Sequence, residues 1–151
     1  MRDKWLILLA IAALLAGFLV QKLGVFSGDA ADVTLQSDCN LRKQACEVAI
    51  PGKGKISLDL LPRDFRALSV MKITLTSSLN QPLAKARMQF EGINMDMGIN
   101  FVNLHKTSEQ NTHFTAEAML PACTSEKMIW LFHLFLELDG RKLDIQFPVE
   151  I

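Results

Sequence analysis

Sulfur-bearing side chains are the residues of this sequence whose types and spacing suggest chemistry. Met95 and Met97 are separated by one residue, in the stretch FEGINMDMG at positions 90–98. On extended backbone the two side chains point to the same face, and thioether sulfur favours Cu(I) over hard cations. The pair therefore predicts a soft-metal site or, in the alternative, two side chains that fill a hydrophobic core.

A predicted hairpin brings a third sulfur to the same place. If the chain turns back at residues 108–109, Met97 lies across from about Leu120, within two residues. Met95, Met97 and Cys123 then converge at one end of the hairpin. Cys123 is left over after the other two cysteines are paired, so it is buried, reactive or a ligand.

Met128 opens the next apolar strand and starts from the same end, which makes it a possible fourth ligand. One thiolate and two or three thioethers in an oxidising compartment describe a Cu(I) site better than a zinc site, which requires more histidine or cysteine. The sequence therefore predicts Met95, Met97, Cys123 and Met128 as metal ligands.

The histidines do not complete a catalytic site. His105 and His113 flank the turn at the far end of the hairpin, roughly 20 Å from Cys123 at about 3.3 Å per residue, too far for proton transfer. The sequence also lacks a phosphate-binding glycine loop and a serine nucleophile elbow. We therefore expect no enzyme activity. His133, within an apolar strand, is predicted to be a hydrogen-bonded core or interface histidine.

Composition limits the class of protein. The 151 residues are 50% hydrophobic and 21% charged, which fits one globular domain. Because 16 basic and 16 acidic residues cancel, no global field attracts nucleic acid. Nucleic acid is therefore excluded as a partner.

The amino terminus predicts a membrane anchor. Residues 5–26 are mainly apolar and reach about the 20 residues that cross a bilayer. Arg2 and Lys4 should keep residues 1–4 in the cytoplasm, so the remainder is exported. The alternative is a signal peptide that is cleaved near Ala30 or Ala31, which would release a secreted protein.

The exported part begins with a small polar tether at residues 27–37, followed by a domain at residues 38–151. Cys39 and Cys46 enclose a short loop, and an exported compartment permits disulfides. We therefore predict a disulfide between Cys39 and Cys46.

Short runs with a period of two dominate the domain and predict antiparallel strands. Residues 47–50 and 56–60 form a predicted hairpin, and Asp139-Gly140 predicts another. The alternation shifts at Gly92, and the apolar positions continue to residue 101, which indicates a bulge, a bend or a crossover between sheets. Seven to nine strands predict an all-β, immunoglobulin-like antiparallel β-sandwich behind one transmembrane helix.

This combination resembles the FixH and YtkA-like families of bacterial membrane-anchored β-sandwich proteins. The resemblance covers roughly residues 55–147 and lies mainly in the MDMG segment at positions 95–98 and in the strand order. It implies copper handling, cytochrome oxidase assembly and a Gram-negative inner-membrane protein that faces the periplasm. The sequence differs from the families by lacking a histidine beside the methionines and by adding Cys39 and Cys46.

Two functional hypotheses follow. In the first, a membrane-anchored periplasmic domain binds or transfers Cu(I), with a role in oxidase assembly. In the second, a metal-free β-sandwich interaction domain binds a membrane protein partner in an inner-membrane complex. Copper titration separates them, because only the first requires sulfur ligands.

Overall fold

The structure is a computed structural model that describes residues 31–98, 100–107, 112–122 and 127–151. This part of the chain is all β and contains no helix. Within it, no helical segment has the length and apolar character needed to cross a membrane. The predicted anchor at residues 5–26, the tip at residues 1–4 and Cys123 lie outside the described residues.

Nine strands among the described residues form one curled sheet, in agreement with the predicted seven to nine. The order across the sheet is β1-β9-β8-β5-β6-β7-β4-β3-β2. The strands are β1 Val33–Gln36, β2 Cys46–Ile50, β3 Gly54–Leu61, β4 Val70–Leu79, β5 Lys85–Gly92, β6 Asn100–Lys106, β7 His113–Met119, β8 Ile129–Leu138 and β9 Arg141–Glu150.

Strand β6 joins the two halves of the sheet. Its residues 100–104 pair with β5, whereas His105 and Lys106 pair with β7. The inward faces of both halves therefore enclose one hydrophobic core, as in a sandwich. The pairs are antiparallel except for β1 with β9, which is parallel.

The core follows from alternation along the strands. Strand β8 directs its even-numbered residues inward, and Phe132 is fully buried. The Phe132 ring contacts Phe90 edge to face at 4.9 Å and Phe65 at 5.7 Å, measured between ring centroids. As predicted from its apolar residues on both faces, β8 lies inside the sheet, between β9 and β5.

The strand register gathers the longer connections at one end of the sheet, which we call the loop end. It holds residues 37–45, 62–69, 93–98, 120–122 and 127–128. The opposite, or hairpin, end holds the tight turns after β2 and β8. The chain joins the sheet at the hairpin end, where Asp32 N donates to Lys142 O at 2.8 Å.

The predicted disulfide is confirmed. Cys39 and Cys46 are bonded, with their Cα atoms 5.7 Å apart. Cys46 is the first residue of β2 and is fully buried. The bridge therefore fastens the loop-end segment before β2 to the outermost strand of the sheet.

The predicted hairpin that places Met97 across from Leu120 is wrong. The β6–β7 pairing includes only His105 and Lys106 of β6, because the earlier residues of β6 pair with β5. The shift of alternation at Gly92 coincides with the end of β5, and β6 begins only at Asn100. The alternating apolar residues within 93–98 therefore lie in a loop and do not extend the hairpin.

The predicted tether also contains a short strand. Strand β1 lies within residues 27–37, and its residues 33–36 pair with residues 143–146 of β9. Four residues are too few for alternation to separate a strand from a polar linker. The predicted hairpin of residues 47–50 with 56–60, in contrast, is confirmed as β2 and β3.

Shortening a central side chain should destabilise the fold strongly. We expect Phe132→Ala to lower the free energy of unfolding by about 3–5 kcal/mol, because it removes a fully buried ring and leaves a cavity. Chemical denaturation measures the change. Ile129→Ala is the matched control from the same strand, because its half-exposed side chain faces outward and should cost less than about 1 kcal/mol. Similar losses for both variants would contradict the assignment of the core.

Candidate functional site

The candidate sulfur site is built on residues 93–98, the Met loop, which connects β5 to β6. Ile93 N donates to Ile129 O at 2.8 Å, at the start of β8. The Asn94 amide donates to Lys127 O at 2.9 Å and accepts from Ile129 N at 3.0 Å. The first half of the Met loop is therefore fixed to the segment that opens β8.

The second half of the Met loop is held by its own polar side chains. Asp96 Oδ1 accepts a hydrogen bond from Gly98 N at 2.9 Å, and the Asn100 amide donates to Met97 O at 2.9 Å. Gly98 adopts a positive φ of 69°, which glycine tolerates without strain. These contacts return the chain to β6 within a few residues.

Gly92 is the point where the methionines meet. A Cβ added at Gly92 would lie 2.5 Å from Met128 Cε and 3.0 Å from Met97 Cγ, and it would overlap the backbone oxygen of Met95. The glycine therefore leaves the space that both side chains occupy. The structure brings Met97 and Met128 together, although by a different route from the predicted hairpin.

The predicted ligands differ in exposure. Met128 is 4% exposed and belongs to the core, and Met97 packs against the core as a partly buried side chain. Met95 is 37% exposed at the surface of the Met loop. The methionines thus run from the interior to solvent at the loop end. Cys123 lies outside the described residues, between Ala122 and Lys127.

The described part of the chain contains no group of three or more histidine, cysteine, aspartate or glutamate side chains arranged to hold a metal ion. The methionines of the loop end supply thioether sulfur, which is a ligand for soft metal ions.

A polar cluster on the outer face of the sheet was not predicted. His133 is 7% exposed, and its Nδ1 lies 3.0 and 3.1 Å from the two carboxylate oxygens of Asp144 on β9. Its Nε2 lies 3.1 Å from Glu91 Oε2 on β5. Carboxylates only accept hydrogen bonds, so the imidazolium, which donates from both nitrogens, satisfies both partners. We call this arrangement the imidazolium bridge.

Both carboxylates raise the pKa of His133. The hydrogen bond to Asp144 raises the pKa of His133 above its ordinary value of 6.5, although burial opposes the shift. The negative charge of Asp144 and the contacts with Glu91 add to the increase. Asp144 is itself buried and accepts from the Gln146 amide at 2.8 Å. The arrangement therefore favours the protonated histidine.

Aromatic rings extend the cluster across the sheet. The His133 ring stacks on Phe135 at 5.6 Å with an interplanar angle of 5°. The Arg87 guanidinium carbon lies 5.1 Å from the centre of the Phe135 ring and 5.4 Å from that of Phe101. The prediction that His133 is a hydrogen-bonded histidine is thus confirmed. Its partners were missed because alternation shows which face a residue occupies, not its neighbours across the sheet.

An apolar patch lies on the other half of the sheet, at the loop end. Its members are exposed, and two of them, Val70 and Met119, are direct register partners on β4 and β7. Leu68 adopts a positive φ of 57° while 68% exposed, and its N–H donates to Leu120 O at 2.9 Å. The patch is formed by Leu61, Leu68, Val70 and Met119.

Replacing His133 should change the pH dependence of stability. The imidazolium bridge stabilises the fold fully below the unfolded pKa of about 6.5, and this contribution is lost as pH rises through the raised folded pKa. We therefore expect His133→Gln to cost about 2 kcal/mol in acid and less at higher pH. Chemical denaturation across a pH series measures the difference. A cost that does not change with pH would contradict the bridge.

Filling the space at Gly92 should disturb the Met loop. We expect Gly92→Ala to lower the free energy of unfolding by about 1–3 kcal/mol, because the new methyl group overlaps the Met95 oxygen and both methionines. Denaturation and amide exchange in residues 93–98 measure the effect. In the control, Gly98→Ala, the methyl group meets no atom within 4 Å and should cost about 1 kcal/mol through its positive φ alone. Faster exchange in Gly98→Ala than in Gly92→Ala would contradict this packing.

Comparisons with known proteins add no relative. No family model, curated protein or solved structure matches this chain. The resemblance to the FixH and YtkA-like families therefore stays a prediction.

Proposed function

We propose that this chain is a membrane-anchored periplasmic domain that binds or transfers Cu(I) and acts in cytochrome oxidase assembly. Its ligands are Met97, Met128, Met95 and Cys123. The observation that carries the proposal is the meeting of Met97 and Met128 at Gly92, where a side chain would fill the space that both occupy.

The donor atoms fit Cu(I). Thioether sulfur is a soft, neutral ligand that selects Cu(I) over zinc, magnesium or calcium. A cysteine thiolate supplies the negative charge that a set of methionines lacks. Met128 forms the buried side of the site, and the more exposed Met95 gives the side through which an ion is exchanged. Such a site stores or passes copper and performs no bond chemistry, so the proposed activity is binding rather than catalysis.

The proposed location is the bacterial inner membrane. The apolar segment at residues 5–26 is the anchor in the lipid bilayer, and Arg2 and Lys4 keep the amino terminus in the cytoplasm. The bond between Cys39 and Cys46 supports export, because disulfides persist in oxidising compartments such as the periplasm. Cleavage after residue 30 would leave the same domain secreted. The immunoglobulin-like sandwich is the fold family proposed for it.

A second candidate function is a metal-free interaction domain in an inner-membrane complex. The apolar patch favours it, because exposed apolar side chains that are adjacent in register mark protein contact sites. Leu68 is held in a strained conformation with its side chain in solvent, which is also common at binding sites. A membrane protein partner would bind through this patch rather than through the Met loop.

Copper titration of the full chain in detergent tests the first proposal. Ascorbate keeps copper as Cu(I), and a chromophoric chelator competes for it. We expect about one tightly bound Cu(I) per chain, which is lost in Met97→Leu combined with Cys123→Ser. Changing a residue that only contacts a metal ligand alters metal affinity about 10–100-fold, so removing a ligand sulfur in Met128→Leu should weaken Cu(I) binding by at least about tenfold. Leucine conserves volume and removes only the sulfur.

The matched control is Met119→Leu, which removes a sulfur from an exposed position on β7 in the apolar patch. This variant should bind Cu(I) as the wild type does. Stoichiometric binding that survives the Met97 and Cys123 changes would disprove the proposed ligands. No binding at all would leave the interaction domain as the remaining function.

A further inference from the structure

Met97 and Met128, the two methionines that meet at Gly92, are attached to different strands. Met97 lies on the Met loop that follows β5, and Met128 immediately precedes β8. Strands β5 and β8 are neighbours, and their last rungs pair Gly92 with Trp130 and Glu91 with Leu131. The distance between the two sulfurs therefore depends on how firmly β5 is held against β8 at the loop end.

The imidazolium bridge crosses between these strands close to these rungs, because Glu91 belongs to one of them and His133 pairs with Gln89. His133 stands two residues beyond the Glu91–Leu131 pair on β8, so its contact with Glu91 at 3.1 Å runs diagonally from β8 to β5. On its other side His133 is bound to Asp144 of β9, a buried carboxylate. Three adjacent strands are thus joined one residue before Gly92.

We propose that the imidazolium bridge is a positioning device for the candidate sulfur site: it holds together the strands that carry Met97 and Met128 while His133 is protonated. This inference rests on the proposed Cu(I) function. His133 and Glu91 are positioning residues, because they act on the methionines through the backbone of β5 and β8 and do not touch the metal.

The groups that face His133 determine which contact is lost on deprotonation. They are Asp144 of β9, Glu91 of β5 and, on the far side of Phe135, the Arg87 guanidinium of β5. A neutral imidazole donates from one nitrogen only. Asp144 is buried whereas Glu91 is 53% exposed, so the single donor stays with Asp144 and Glu91 turns to water. Loss of the proton therefore separates β5 from the bridge.

The imidazolium bridge should make Cu(I) affinity depend on pH in the direction opposite to that of a thiol ligand. Deprotonation of Cys123 makes Cu(I) binding tighter as pH rises, as for any thiol ligand. Release of the imidazolium bridge acts in the opposite direction, because the methionines are less well positioned after His133 loses its proton. A comparison of the wild type with His133→Gln isolates the second contribution, since both proteins keep Cys123.

The experiment measures Cu(I) affinity of the full chain from about pH 6 to about pH 9, a range that covers histidine titration. The wild type should bind about threefold to tenfold more tightly than His133→Gln near pH 6, the scale of one modest ionic contact. The two affinities should converge at the upper end of the range. Glu91→Gln keeps the side-chain size and removes the negative charge. Because the glutamine amide can accept from the imidazolium and donate to the neutral imidazole, its affinity should depend less on the protonation of His133 than that of the wild type.

The control is Glu117→Gln, an exposed carboxylate on β7 in the other half of the sheet, which should leave the profile of the wild type. Parallel profiles for the wild type, His133→Gln and Glu91→Gln would overturn the positioning role. A constant loss of affinity at every pH, which a merely structural effect produces, would also overturn it.

Amide exchange in the copper-free chain separates this inference from the proposed function. In the wild type, amide exchange in residues 92–98 should become faster as His133 loses its proton. In Glu91→Gln, the exchange rate should not depend on the protonation of His133. If no Cu(I) binds, the proposed function fails and the exchange alone decides the inference. Exchange that follows the same pH curve in both proteins would then overturn it.

Discussion

The pairing of β5 with β8 is the interaction on which the other features of the structure depend. Its rungs run from Lys85 with Glu137 to Gly92 with Trp130. The inward face of the pair brings the rings of Phe90 and Phe132 together in the core. The outward face carries the imidazolium bridge, and the end of the pair carries the Met loop. The hydrophobic core, the imidazolium bridge and the Met loop therefore all depend on the pairing of β5 with β8.

The outer face of this pair combines burial with charge balance. His133 lies between the two negative groups, Asp144 and Glu91, and the Arg87 guanidinium lies over the Phe135 ring on which His133 stacks, so the four charges sum to zero when the histidine is protonated. Removing a charged group from water is costly unless a partner compensates it. Apolar residues would stabilise the same position without that cost. The choice of charged residues therefore points to a specific alignment of three strands rather than to stability alone.

Much of the fold could be predicted from local patterns, because alternation and turn residues act within a few positions. The β2–β3 hairpin, the turn at Asp139-Gly140 and the Cys39–Cys46 bond depend on residues that are close in sequence. Partners across the sheet could not be predicted in the same way. His133 and Glu91 are brought together by the pairing of β5 with β8, 42 positions apart, which no local signal encodes.

The sequence predicted that Met97 and Met128 lie close together, but the structure brings them together in a different way. The predicted convergence of Met97 and Met128 required a long β6–β7 hairpin, but both side chains instead occupy the space left by the missing side chain at Gly92. The glycine was noticed because alternation fails there. Alternation could not distinguish a bulge within a strand from a loop, since apolar residues at every second position fit both.

The shortness of the two outermost strands limits the ways in which this domain can be recognised. The sheet is bordered by β1, which has four residues, and β2, which has five and begins at the disulfide. Short borders offer few unpaired backbone groups, so a partner gains little by adding a strand of its own. Recognition must then use side chains on the faces and loops, where single substitutions can change one contact and leave the backbone intact.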